Sequence, residues 1–415
     1  VVYTVLKPEV CYRCKTFKKL CGLPSCPIKE RLKVVIKTFT KISTNSVVLG
    51  STPPSGVVGE FNYPKVNIYT GISPDKDRDV KFLEDPQRWW LNNLSLDDVV
   101  KIRSSMISIL DKNVDVHDVD KLLSREISLI QISSKPVDCD VFIEKILDKN
   151  MIFDLKLLPL SVRVLGNIKI SSNPKIERSL EKVIYDTDLK ARDAVIKLYR
   201  DGIDIYIIQK AFSFGLLGTR RFRKLVPTRW AITAVDRIIS QYLRNTITKF
   251  EFLDKFKFYQ ITYMNNRFTV IMIPGSLKIS WLEFWYPRLG IDSGVKKSPT
   301  LSVQIEEDLK GNVETMDGGF EAARMGILET LYRRRVQCRV IIVREILPEY
   351  YIGIGNWHIR EDMRNIVNIK PILSTYNIDE LIKTINEKLP KEIASVVVRN
   401  VRKLYSQKSI LETLW

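Results

Sequence analysis

The sequence predicts a mixed α+β (α/β) fold in two domains. Three observations carry that reading. A chain of 415 residues and 48.1 kDa is longer than one ordinary hydrophobic core accommodates. Residues 176 to 201 place apolar side chains at helical spacing. Residues 249 to 274 alternate apolar and polar, and RVIIVREI (339–346) is a nearly continuous apolar run, both signatures of strands.

The first distinctive element is CYRCKTFKKLCGLPSC. It holds four of the chain's six cysteines, Cys11, Cys14, Cys21 and Cys26. Four soft thiolates are what a closed tetrahedral zinc site needs, and Lys15, Lys18 and Lys19 between the pairs favour the thiolate form. So short a span predicts a zinc knuckle, zinc-finger-like in its ligands. Four protein ligands leave no open position, so the role is structural rather than catalytic. An iron–sulfur cluster or a pair of disulfides are the alternatives. Cys139 and Cys338 stand apart, and Cys338 reads as a small buried hydrophobe.

Residues 31 to 48 are β-branched and basic and read as strand-like. The stretch 51–75 holds Pro53, Pro54, Pro64 and Pro74 with Gly56, Gly59 and Gly71. It reads as an ordered loop with short strands, its aromatics Phe61, Tyr63 and Tyr69 packed against something. Ser95 followed by Asp97 and Asp98 marks a helix N-terminus. Residues 113 to 160 read as short helical pieces between loops, and 176–201 as one or two helices.

The most basic segment follows. Arg220, Arg221, Arg223, Lys224 and Arg229 lie within ten residues, ahead of an amphipathic helix starting near Trp230 or Ala231 with Thr228 as N-cap. Arginines gathered at a helix start suit a phosphate, and Phe222 and Trp230 suit stacking on a base. The segment is the candidate nucleic-acid or nucleotide site. The bland reading is a buried Trp230 and a solvated arginine face.

Asn265-Asn266 marks a hairpin. In SWLEFWYP, Trp281 and Trp285 would share one face of a helix and read as core. Asp317-Gly318-Gly319 opens a helix whose small residues suggest close packing against a sheet. Arg344 and Glu345 end the apolar strand, and His358, Arg360 and Glu361 follow. With Asp317 these are the candidate catalytic residues, and Asp236 and Glu283 are further carboxylates. Ion pairing within the fold explains the same residues. No GxSxG, Walker A or GxGxxG motif is present.

Net charge is +18 and the pI near 9.5, which favours a polyanion. No run of eighteen apolar residues predicts a membrane span. The N-terminal VVYTVLKPEV is too broken by Lys7 and Pro8 for a secretory signal, so a cytoplasmic protein is expected. Residues 391–405 suit a basic terminal helix. In QKSILETLW, Gln407, Ile410, Leu414 and Trp415 have the character of a sliding-clamp-binding peptide, although the aromatic falls one place later than in the usual pattern.

Several blocks together resemble the archaeal Nre family of DNA-repair proteins: the cysteine block, STPPSGVVGEFNYPKV, LEDPQRWW, RKLVPTRWAITAVD, MDGGFEAARMGILE, REILPEYYIGIGNWHIRED and the tail. The resemblance covers nearly the whole chain. It implies a role in archaeal DNA repair, recruitment by the sliding clamp (PCNA), and the four cysteines as a zinc-type motif. It supplies no defined reaction. The expected organisation is a zinc knuckle at 1–35, α/β domains at 36–215 and 216–400, and a tail at 401–415. The expected function is a DNA-repair protein that binds DNA or nucleotide phosphates. The rivals are an enzyme on nucleotides or damaged DNA (nuclease, glycosylase or phosphate transfer) and an RNA-binding or scaffold protein.

Overall fold

The computed structural model describes residues 11, 13–14, 18–21, 23, 26–43, 47–76, 79–147, 161–287, 298–308 and 310–406. Residues 25–239 belong to one compact unit and residues 240–406 to another. The fold is mixed α and β, as expected.

The first unit begins with α1 (Pro27–Ser43). The β-branched composition here suggested a strand, and that expectation is corrected. Ile28, Arg31, Thr38 and Ile42 are buried, at intervals of three, seven and four residues that fall on one face of a helix. β1 (Val47–Val58) and β2 (Lys65–Ser73) follow as an antiparallel pair. The Pro/Gly stretch is therefore regular strand over most of its length, not a loop. Pro53 and Pro54 are tolerated because the β1–β2 register shifts between Ser51 and Ser55, a bulge where no ladder N–H is required.

Two short helices, α2 (Pro86–Leu91) and α3 (Leu96–Ser104), lead to β3 (Ile107–Asp115). Ser95 caps α3 through a reciprocal box with Asp98, as its sequence indicated. After β3 come α4 (Val119–Ser124) and α5 (Ile127–Gln131), then β4 (Val137–Ile146) and β5 (Val162–Ile170). Reading 113–160 as helical pieces and loops overlooked β4 and the end of β3.

The five strands close into a barrel in the order β1-β2-β3-β5-β4, with β4 pairing back to β1. β3 and β5 run parallel and the other pairs antiparallel. A five-stranded closed barrel of this order, with the short helices α4 and α5 between its third and fourth strands, has the topology of the OB class. Its core is aliphatic: Ile72, Ile107, Ile109, Val137, Val141, Val162 and Val164, joined by Ile42 of α1 and Ile130 of α5. Cys139 also lies there, its thiol pushed up to about 12 chiefly by burial, so it stays protonated.

Helices α6 (Arg178–Tyr185), α7 (Ala191–Arg200) and α8 (Ile205–Ser213) follow, the first two filling the stretch read as one or two helices. Helix α9 (Thr228–Ile247) then runs through the division between the units at Ile239 and Ser240.

The second unit pairs short β6 (Glu251–Phe252) with β11 (Val336–Gln337), beside a six-stranded sheet. The sheet consists of β7 (Phe256–Tyr263), β8 (Asn266–Ile273), β9 (Lys278–Trp285), β10 (Thr300–Glu306), β12 (Arg339–Ile346) and β13 (Leu373–Thr375), ordered β10-β9-β12-β8-β7-β13. The β7–β8 turn is Met264-Asn265, both at positive φ, one residue earlier than the Asn-Asn pair suggested. Trp281 is fully buried, but on a strand rather than a helix.

Helix α10 (Gly318–Arg334) is capped by Asp317, which accepts from the Phe320 N–H at 2.8 Å. Its small residues meet both a helix and the expected sheet: a Cβ on Gly319 would lie 3.6 Å from the Trp281 ring of β9. A Cβ on Gly326 would lie 2.7 Å from the Arg360 carbonyl of α11 (Trp357–Asn365). The other sheet face carries α12 (Ile378–Lys388) and α13 (Lys391–Ser406), packed on Phe258, Leu282, Ile341 and Val343. Helix α13 is the basic terminal helix the sequence indicated. Among the described residues, no helix is long and apolar enough to cross a membrane.

Candidate nucleic-acid interface

The basic segment ahead of α9 divides by what each side chain touches. Arg223 is consumed by the fold. Its guanidinium donates to the carbonyls of Gly218 (2.7 Å), Ile184 (2.8 Å) and Asp186 (2.9 Å), closing the C-terminus of α6. Arg220, Arg221, Lys224 and Arg229 are exposed. Arg220 lies 3.8 Å from Asp120 and Arg229 3.3 Å from Glu60, both solvated contacts of little energetic weight. Arg221 lies over the Phe222 ring at 5.7 Å.

Thr228 is the first residue of α9 rather than its cap; the Pro227 carbonyl accepts the first helical N–H groups, from Trp230 and Ala231. The Thr228 hydroxyl oxygen instead accepts from the Val58 N–H at 2.8 Å, at the end of β1. That bond sets the head of α9 against the β1–β2 turn. The turn is fixed from its other side, where the Val116 N–H donates to the Pro64 carbonyl and the Leu225 N–H to that of Val116. Trp230 thereby comes to Tyr63, with ring centroids 5.5 Å apart at 42°.

Trp230 is therefore not core. It is 46% exposed and Tyr63 beside it 39%, while Phe61 and Phe222 are 78% and 75% exposed, so aromatic area is left in water on the β1–β2 turn and on the segment that carries the four cations. Composition had flagged Phe61 and Tyr63 only as aromatics packed against something. Their link to the arginine segment is tertiary and has no signature in sequence.

A second cationic surface went unread. Lys29, Lys33, Lys37 and Lys41 recur at four-residue intervals along the exposed side of α1. Lys33, Lys37 and Lys41 line a groove of about 440 Å³ with Lys101 of α3. Lys41 pairs with Asp75 at 3.2 Å, the one carboxylate in that lining.

The catalytic candidates all lie in the second unit, on both faces of β12 and around α11. Arg344 sits opposite Glu283 of β9 and donates to it at 3.0 Å, to Asn266 at 2.9 Å, and toward His358 Nε2 at 3.5 Å. Its guanidinium also lies 5.6 Å from the Tyr350 ring centroid. Glu345 points to the other face, where it accepts from Arg267 and from the Tyr286 hydroxyl at 2.7 Å. Asp317 is the cap of α10. Glu361 pairs with Arg364 at 2.9 Å, and Arg360 is buried in α11. Asp236, in the first unit, accepts from Gln209 at 2.9 Å. Arg344 and His358 are thus brought together, whereas Glu345 and Asp317 each have separate partners. Ion pairing and capping within the fold describe these contacts.

The four N-terminal cysteines are not joined in disulfides, and Cys11 and Cys14 are buried. Four such donors suit zinc chemically. Among the described residues, however, no three His, Cys, Asp or Glu side chains are gathered as a metal ion would gather them. Gln407, Ile410, Leu414 and Trp415 lie outside the described residues.

His358 yields a pH prediction. Its Nδ1–H donates to the Gly355 carbonyl at 2.8 Å, leaving Nε2 to face Arg344. Burial, then the Arg344 charge, pull its pKa from 6.5 down to about 3. The folded state keeps this ring neutral while the unfolded chain protonates it, so its contribution is whole above pH 6.5 and is lost as pH falls toward 3. Between pH 7 and pH 5 the wild type should lose about 2 kcal/mol more than H358Q, measured by denaturant unfolding. Parallel pH profiles would contradict the assignment.

Comparison with known proteins places the chain. A model described as the N-terminal region of archaeal Nre matches residues 20–289, and one described as the C-terminal region matches residues 306–412. "DNA repair protein NreA" of Archaeoglobus fulgidus is 34% identical over 375 residues, 87% of this chain and 89% of that protein. "DNA repair protein NreB" of the same organism is 32% identical, over 86% of this chain and 87% of its own length. "DNA repair protein NreA" of Haloferax volcanii is 29% identical, over 91% of this chain and 92% of its own length. No solved structure matches the chain. Matched along most of its length by both regions and by these relatives, the chain belongs to the archaeal Nre family.

Proposed function

We propose that this protein is a DNA-repair factor that binds DNA through the head of α9 and the β1–β2 turn of the barrel. One observation carries the reading: four exposed cations, Arg220, Arg221, Lys224 and Arg229, stand beside exposed aromatic rings on a backbone fixed by the Thr228–Val58 bond. Cations attract phosphates and raise the encounter rate, and aromatic faces add short-range energy. The relatives' names supply the repair context. The net charge of +18 agrees with a polyanionic partner, and the lysine groove of α1 offers a second place for phosphates.

Two further parts complete the proposal. Cys11, Cys14, Cys21 and Cys26 hold zinc as a structural ion, supported by the number, short spacing and softness of the donor set. Gln407, Ile410, Leu414 and Trp415 engage the sliding clamp (PCNA), supported by the polar-then-apolar order of the peptide following the basic α13. Tethering by the clamp raises the local concentration of DNA without demanding tight intrinsic affinity.

DNA affinity should fall with salt, and in R220Q/R221Q/R229Q the slope of log K against log salt should shrink by about 2 to 3. An unchanged slope would remove the α9 head from the DNA contact. Deleting residues 407–415 should abolish clamp binding in calorimetry; equal affinity with and without them rules that peptide out. Elemental analysis should find about one zinc per chain, lost in C11S/C14S. Iron, or no metal in the wild type, would contradict the zinc assignment.

A further inference from the structure

We infer that the β1–β2 turn and the head of α9 take the unpaired bases of a single DNA strand. The inference rests on the DNA-binding reading above and narrows it to a strand form and a contact type.

Three observations converge. The first is topological. In barrels of this strand order, the loop between the first two strands belongs to the ligand-binding mouth. Here that loop carries Glu60, Phe61 and Tyr63. Shared topology alone assigns no ligand.

The second observation is the chemistry of the loop. Tyr63 and Trp230 touch each other, yet each keeps a large part of its ring in water, and Phe61 is almost fully exposed. Exposed aromatic area is unfavourable in water and is normally buried on folding. Here the rings are held out instead. A base has a π-face that can cover them, and stacking needs no particular sequence. A duplex hides those faces in its own stack, so only an unpaired strand offers them.

The third observation is the setting. Arg229 adjoins Trp230 and reaches Glu60 of the turn, so a phosphate has a cation next to the stacking surface, and Arg220, Arg221 and Lys224 lie exposed on the segment leading to it. The rings stand on backbone pinned by Val58 to Thr228, Val116 to Pro64, and Leu225 to Val116. A pinned platform loses less entropy on binding than a mobile loop.

The test compares a single-stranded oligonucleotide with the duplex of the same sequence, by fluorescence anisotropy on the full chain. Y63A and W230A should each weaken single-strand binding about 5- to 150-fold, a larger loss than on the duplex, and leave both salt slopes unchanged. Y63F and W230F should keep the wild-type preference, which separates stacking from misfolding. Equal losses on both strand forms, or none on either, overturn the inference. R220Q/R221Q/R229Q serves as the separate arm. If it weakens both forms while the alanine variants change nothing, the DNA-binding reading stands and the stacking inference fails. If it weakens neither, the DNA-binding reading itself is lost.

Discussion

One hydrogen bond sets the candidate interface. The Val58 N–H, at the end of β1, donates to the Thr228 hydroxyl at the first residue of α9. Together with the Val116–Pro64 and Leu225–Val116 bonds, it gives a barrel turn and a helix head distant in sequence one fixed frame. With it, Trp230 meets Tyr63 and Arg229 meets Glu60. A neutral bond of this kind contributes only about 1 kcal/mol net to stability. Its larger effect is on position, because it joins the end of β1 to the first residue of α9.

Both units divide their cations between bonds within the fold and the surface. In the second unit, one set of arginines is spent inside, while Arg333, Arg334, Arg335, Arg399 and Arg402 stay exposed. Glu307 is fully buried between Arg244 at 2.8 Å and Arg324 at 2.6 Å, and Arg324 also reaches Glu321 and the Gly311 carbonyl. Arg267, Arg344 and Arg364 are likewise bound to Glu345, Glu283 and Glu329. Buried charges of this sort must be paired, and once paired they present little field to solvent. In the first unit, Arg220, Arg221, Lys224, Arg229 and the α1 lysines remain at the surface. Lysines at four-residue intervals on one helix repel each other mildly, a cost that a bound anion would relieve.

Much of this was legible in sequence where the signal is local. The cap at Ser95, the helices within 176–201, the strand 339–346 and the cap at Asp317 follow from short-range patterns. Composition misled where it competed with period: α1 is rich in β-branched residues but buries side chains at helical spacing. Pro53 and Pro54 concealed β1 because a bulge absorbs them. Barrel closure was illegible, since it depends on β1 pairing with β4 far along the chain. The same applies to the interface. The arginine cluster was visible, but the diversion of Arg223 to backbone carbonyls and the meeting of Trp230 with Tyr63 are tertiary events.

The central claim is that DNA meets this protein on the barrel turn and the head of α9. Photo-crosslinking to an oligonucleotide carrying halogenated uracils, with the adducts mapped by mass spectrometry, addresses it most directly. The account predicts adducts on residues 61–63 and 220–230. Adducts confined to the second unit, around Arg344 and His358, would contradict it.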